Sequence, residues 1–301
     1  MSTPKPVVTP GGPLGRALVS LVVGLVRSWS KATRDSVASF VATLAWTLRI
    51  RRGVTLDNLA HAYPEKSEAE RVTIARGAYR TMALAALEAI TSDLLSDEAI
   101  ARAVSTVDWK GLDQLIASGK PALVVSGHLG SWELFAEVMA RRGYVFSAVV
   151  RPLAGAFNEW VVKNRQQAGV ELILQRGALG GMLKALKRGR CVVQLIDQSL
   201  GAREALWVPF FGRLASTTPA ISMAAIRSQV PVYLVVALRE ADGLKMYVEG
   251  PVPVPEREDR HQAMFEHTAE LTRLLETYVR KAPEQWLWLH RRWKGQPPRA
   301  S

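Results

Sequence analysis

Apolar positions along this chain change their spacing twice. From Leu14 to Val26 and from Val37 to Ile50 they are dense; the first run has an apolar core from Ala17 to Val26, and Ser39, Thr43 and Thr47 break the second. Both are shorter than the ~20 residues a spanning helix needs. A signal peptide, a membrane-embedded helical anchor and a soluble helical hairpin are the competing readings. Arg27-Ser28-Trp29-Ser30-Lys31 is a poor cleavage site, which favours a shallow anchor. Ahead of it, Met1 to Pro13 is rich in proline and glycine and is expected to be disordered. A short helix through Leu56, Leu59 and Ala60 should stop at Tyr63-Pro64. Ser67 and Glu70 then have capping-box spacing, and Val72, Ala75, Ala78, Tyr79, Met82, Leu84, Ala85, Leu87 and Ile90 predict a long core helix.

After Val104 short apolar runs alternate with helical segments. Strands are predicted at Val104 to Trp109, Ala122 to Val125, Val145 to Val150, Leu172 to Leu174, Cys191 to Ile196, Val232 to Leu238 and Lys245 to Val248. Helices are predicted around Leu112 to Ala117, Trp132 to Arg141, Phe157 to Ala168, Gly180 to Lys187, Pro219 to Arg227 and Gln262 to Tyr278. Asp242-Gly243 should turn the last two strands antiparallel. The expected fold is α/β, a mostly parallel mixed sheet flanked by helices, preceded by an N-terminal helical membrane-anchoring segment. The expected organisation is a disordered 1–13, a membrane-associated 14–52 and one domain over 53–301.

Charge narrows the partners. The formal net charge is +12 over 301 residues, which calls for an acidic partner. Lys5, Arg16, Arg27, Lys31, Arg34, Arg49, Arg51 and Arg52 flank and interrupt the N-terminal apolar runs, against Asp35 alone. Basic side chains among apolar neighbours suit an anionic membrane surface, where they reach phosphates while the apolar residues enter the acyl layer. Zinc-finger spacing, an RNP-like strand and a basic-region zipper are all missing from the sequence, so nucleic acid is not expected. Cys191 is the one cysteine and reads as a small core residue.

The candidate chemistry centres on Pro121 to Ala136. A buried strand there runs into a turn of Gly127, Gly130 and Ser131, leaving His128 at the carboxyl edge of the sheet. Ser131 is a candidate N-cap, which puts Glu133 in the first turn of the next helix. Five positions apart, His128 and Glu133 would not share a face of one helix, but across a strand-turn-helix corner they can meet. A carboxylate holding one imidazole nitrogen leaves the other to act as a general base, so the two are the expected catalytic dyad. No G-x-S-x-G elbow is present, so the nucleophile would belong to the substrate. Arg151 and Asp197 also end strands and should open on the same edge. Arg165 lies on a following helix; guanidinium there can clamp phosphate or stabilise an oxyanion. No metal-binding role is expected of any of these residues. His61, His261 and His267 read as structural or solvated.

Gly127-His128-Leu129-Gly130-Ser131-Trp132-Glu133 resembles the H-x4-D/E block of the lysophospholipid acyltransferase superfamily, and specifically its lipid A biosynthesis (lauroyl/myristoyl) acyltransferase branch. In the same order along the chain, so do Asn58 to Glu65, Val150-Arg151-Pro152, Ile196-Asp197-Gln198, Val208 to Gly212 and Pro283 to Lys294. That resemblance implies a glycerol-phosphate/lysophospholipid acyltransferase-like fold. It also implies basic residues such as Arg151 and Arg165, with Asp197 and Gln198, at the substrate site. Where the branch commonly has a second acid two places after Asp197, this chain has Ser199.

The resemblance implies acyl transfer from an acyl-carrier protein thioester to a hydroxyl of a lipid A precursor. It places the reaction at the cytoplasmic face of the inner membrane, with no cofactor. Both partners are acidic, as the charge of the chain asks. An acceptor such as a phosphatidylinositol mannoside with acyl-CoA as donor, a hydrolase that sends the acyl chain to water, and a non-catalytic membrane-surface protein are the alternatives.

Overall fold

The computed structural model describes residues 8–104, 107–151, 153–201 and 204–297. In chain order its elements are β1 (Val8–Thr9), α1 (Pro13–Ser28), α2 (Lys31–Thr47), α3 (Arg52–Ala62), α4 (Glu68–Thr91), α5 (Asp97–Val104) and α6 (Leu112–Ala117). Then come β2 (Leu123–Ser126), α7 (Trp132–Arg141), β3 (Phe146–Val150), β4 (Leu153–Ala154), α8 (Ala156–Gln167), β5 (Glu171–Leu174), α9 (Ala178–Lys187) and β6 (Cys191–Leu195). The last are β7 (Leu206–Phe210), β8 (Arg213–Thr217), α10 (Ala220–Ser228), β9 (Val232–Glu240), β10 (Gly243–Val252) and α11 (Arg260–Lys281).

The central sheet has the order β10-β9-β2-β6-β3-β5, parallel except for β10, which pairs antiparallel with β9 through the expected hairpin. This is the mostly parallel mixed sheet that the alternating pattern predicts. Period-two alternation divides its strands between two apolar layers. Ala122, Val124, Val193, Tyr233 and Val235 meet Phe135, Val138 and Met139 of α7. On the other face Leu123, Val125, Val192, Leu234 and Val236 meet α9, α10, α11 and the helices α3 and α4. The capping box at Ser67 and Glu70 is formed, and α4 runs unbroken behind it.

One predicted strand is corrected. Val104 is the last residue of α5, Val107 to Trp109 have no regular structure, and residues 105–106 lie outside those described. Acids in its first turn and the buried Ile100 and Ala103 make α5 an amphipathic helix. Val104, Val107 and Trp109 pack over the α7 layer as a cover. Their apolar character reflects burial of side chains, which a short run shares with a strand.

At the N-terminus residues 1–7 of the segment expected to be disordered lie outside those described, while Val8–Thr9 pairs parallel with Leu153–Ala154. α1 lies against α4 and α8, and α2 against α4. Each keeps an apolar stripe facing outward: Leu14, Leu18, Leu21 and Leu25 on α1, and Phe40, Leu44 and Leu48 on α2. Among the described residues no helix is long and apolar enough to cross a membrane.

Candidate active site

Strand register builds the centre. β2 and β6 are neighbours, with Ser126 opposite Leu195, so the residues two places beyond each strand come together at the carboxyl edge. These are His128 and Asp197. The His128 ring bonds through Nδ1 to Asp197 Oδ1 at 2.8 Å, and its backbone N–H donates to Oδ2 at 2.7 Å. The indole N–H of Trp286 donates to the same Oδ2 at 2.8 Å. Burial alone would push the Asp197 carboxyl up. The His128 ring beside it and the three N–H bonds outweigh that and hold it below the ordinary carboxylate range. With its proton on Nδ1, His128 presents a lone pair at Nε2, where the amide nitrogen of Gln198 lies at 3.2 Å.

The turn carrying His128 is fixed on both sides. Gly130 has a φ of 62°, and a Cβ there would collide with the carbonyl of Ala237. Its N–H donates to Gln285 O, that of Ser131 donates to Ala237 O, and Leu287 N–H donates to His128 O. Arg239 adds a bond to Gly130 O while its guanidinium grips Glu88 at 2.6 Å.

Glu133 is not the partner of His128. It lies in the first turn of α7 as expected, and its carboxylate receives Arg165 Nη2 at 2.7 and 2.8 Å and the Trp132 indole at 3.1 Å. Asp197 occupies the place at the ring that the spacing assigned to Glu133. The helix start turns Glu133 toward the end of α8, while strand pairing brings Asp197 to the imidazole. Arg151 is exposed and donates to Gln175 Oε1 at 3.2 Å and to the backbone oxygen of Ser199 at 2.8 Å.

The candidates other than Asp197 all line one cavity of about 300 Å³ between β3, β6, α7 and α8. His128, Glu133, Arg151, Arg165 and Gln198 line it at the polar end, and Phe135, Phe146, Val150, Val170 and Val193 continue it as an apolar wall. Its size and apolar lining can take hydrocarbon, with the imidazole among the polar residues at its edge. Among the described residues no group of histidine, cysteine and acidic side chains is arranged to hold a metal ion.

Sequence reasoning missed the support supplied by the C-terminal block. Trp286, Trp288 and Trp293 of this block are all buried. Asn58 donates to the carbonyls of Trp288 and His290 at 2.8 and 2.7 Å, joining the N-terminal motif to this block. His290 Nε2 accepts the Ser199 N–H at 3.0 Å, and the Ser199 hydroxyl bonds to Arg291 O and Arg292 O. Serine thus anchors the loop after Asp197 where a second acid was expected. Buried Arg292 donates to Ser216 O and Thr217 Oγ1, both at 2.6 Å. The signals in the sequence were the family resemblance of Pro283 to Lys294 and the density of tryptophan, histidine and arginine from Trp286 to Trp293. The aromatic segment from Trp207 to Phe211 belongs to the β7–β8 ribbon, with Phe210 and Phe211 packed inside.

Burial, reinforced by Arg151 and Arg292 and opposed by Asp197, pushes His290 down from 6.5 to about 4. The unfolded chain therefore binds a proton that the folded one refuses, and stability falls as pH drops between those two values. The expected loss is about 1–2 kcal/mol for this part-exposed ring. His290→Gln, which keeps an acceptor for Ser199, should flatten that part of a melting-temperature profile. Parallel profiles for the two proteins would show that His290 is not the group responsible.

A buried aspartate bonded to one nitrogen of a histidine, with the other ring nitrogen facing an apolar cavity, is an arrangement that can activate a substrate hydroxyl as general base. Comparison with known families agrees. The model of the bacterial lipid A biosynthesis acyltransferase family matches residues 13–295, and the chain belongs to that family and is an O-acyltransferase. It is 27% identical over 256 residues to the lipid A biosynthesis palmitoleoyltransferase of Escherichia coli (strain K12), covering 83% of this chain and 81% of that one. Against the lauroyltransferase of the same organism it is 27% identical over 253 residues, covering 83% and 81%. Against the myristoyltransferase it is 24% identical over 272 residues, covering 88% and 82%.

Proposed function

We propose that this enzyme transfers a fatty acyl chain from an acyl-carrier protein thioester to a hydroxyl of a lipid A precursor at the cytoplasmic face of the inner membrane. The observation that carries the reading is the His128–Asp197 pair at the polar end of the apolar cavity. The acyl chain lies along Phe135, Phe146 and Val193 with its thioester carbonyl beside His128. The acceptor hydroxyl takes the place of the Gln198 amide at Nε2. As its oxygen attacks the carbonyl, its proton passes to Nε2, and ionised Asp197 lies against the ring that becomes positive. The tetrahedral intermediate collapses with loss of the thiol, to which the imidazolium returns the proton.

Glu133 enters this scheme through Arg165. It holds the guanidinium at the cavity, where with Arg151 it can meet the developing oxyanion or a substrate phosphate. The outward apolar stripes of α1 and α2, among basic residues, support a shallow seat in an anionic membrane. The net charge of +12 supports both acidic partners.

Purified enzyme given acyl-carrier protein thioesters and a panel of glycolipid acceptors tests the reading by lipid mass spectrometry. A lipid A precursor heavier by one acyl group is expected. Acylation only of another glycolipid or only from acyl-CoA, or release of free fatty acid without a lipid product, would overturn it.

A further inference from the structure

Between α2 and α4 lies a second cleft, separate from the cavity at His128. It has a volume of about 190 Å³, several times the ~30 Å³ of one water, and Ser39, Ala42, Thr43, Trp46, Thr47, Arg76 and Arg80 line it. No carboxylate is among these residues. Arg76 and Arg80 stand one turn apart on α4, a like-charge spacing that costs helix stability unless something negative lies between them. Among the described residues neither forms an ion pair. Arg80 donates Nε to Ser39 Oγ at 3.2 Å, and Arg76 lies over the Trp46 ring at 5.5 Å. A third guanidinium, Arg52, covers the same ring at 4.3 Å. Two guanidiniums, of Arg52 and Arg76, thus lie over one tryptophan, and that of Arg80 meets the hydroxyl-lined wall.

The hydroxyl interruptions of the second apolar run now have a place. Ser39, Thr43 and Thr47 repeat every four residues and form one stripe of α2, facing the arginines. Phe40, Leu44 and Leu48 form the stripe beside it, and all three are exposed. A ligand with negative charge at one end and hydrocarbon at the other would satisfy both.

We infer that the α2–α4 cleft binds the phosphomonoester headgroup of a membrane lipid, with Arg76 and Arg80 as its ligands and the acyl chains against Phe40, Leu44 and Leu48. The inference takes from the proposed function only that α2 meets a bilayer. Guanidinium forks match phosphate oxygens bidentately, and the monoester carries more charge than a diester.

Co-sedimentation of the full chain with vesicles tests this, using phosphatidylcholine alone and a four-to-one mixture of phosphatidylcholine with phosphatidic acid. Wild type should bind the mixture at least about tenfold better. R76A/R80A should lose that preference while binding pure phosphatidylcholine as wild type does. K184A/K187A, which removes equal charge from α9, should keep the preference. Arg76 and Arg80 are exposed, so the fold should tolerate the change; R80Q, which gives up one side-chain hydrogen bond, is the milder variant and should lose part of the preference. Phosphate preference surviving in R76A/R80A, or falling equally in K184A/K187A, would overturn the inference. Equal wild-type binding to both vesicles overturns it while leaving the membrane reading intact, and binding to neither overturns both. Inorganic phosphate at the concentration of the lipid should leave binding in place, since it lacks the apolar contacts. Displacement by it would make the cleft a site for free phosphate instead.

Discussion

His128→Ala is expected to lower turnover by about 10²–10⁴-fold, the usual worth of a positioned general base, and to leave the protein folded. Folding should survive because the His128 backbone does most of the structural work at this turn. Its N–H still donates to Asp197 and its carbonyl still accepts from Leu287. Asp197 also keeps the Trp286 indole. The loss to stability is the one bond from the ring, about 1.5–3 kcal/mol for a hydrogen bond to a buried charged group. Single-turnover transfer from a labelled thioester, measured beside a thermal melt, checks both halves. Turnover within threefold of wild type would remove the imidazole from the reaction.

The second large effect is expected from Asp197→Asn, and its origin is geometric. Asp197 Oδ2 receives two N–H donors, from the His128 backbone and from Trp286. An asparagine can satisfy both only by placing its carbonyl oxygen there. Its NH₂ then faces Nδ1 at the Oδ1 position, and the ring can keep that contact only with its proton moved to Nε2. The nitrogen that must accept the substrate proton is thereby blocked. A fall in turnover of the same order as for His128→Ala is expected, about 10²–10⁴-fold, with near-native stability. Glu133→Gln, by contrast, retains acceptor and volume but unpairs Arg165, so a loss of about tenfold is expected, weighted toward KM. Kinetics on the two variants side by side decide between the carboxylates. A near-normal D197N with an inactive E133Q would restore the partner that sequence spacing proposed.

That comparison also marks where sequence reading stopped. The corner at Gly127 to Glu133 was legible because its turn residues and its flanking strand and helix are all local. Arg151 was legible for the same reason, as the residue that follows an apolar strand. Trp286, His290 and Ser199 were not, since each acts through a contact with a segment far along the chain. Val107 to Trp109 misled because packing over the α7 layer and burial in a sheet leave the same short apolar run.

The pattern of apolar and polar positions by itself determined the α/β alternation, the parallel strands with one hairpin, the long capped α4 and the placing of His128 at the sheet rim. Tertiary structure alone decided that β2 lies beside β6, that Asp197 therefore stands under His128, and that the C-terminal tryptophans are buried around both. Periodicity reports the backbone conformation of a segment and the face it hides. Which strand lies next to it depends on packing between distant segments, and no local pattern carries that information.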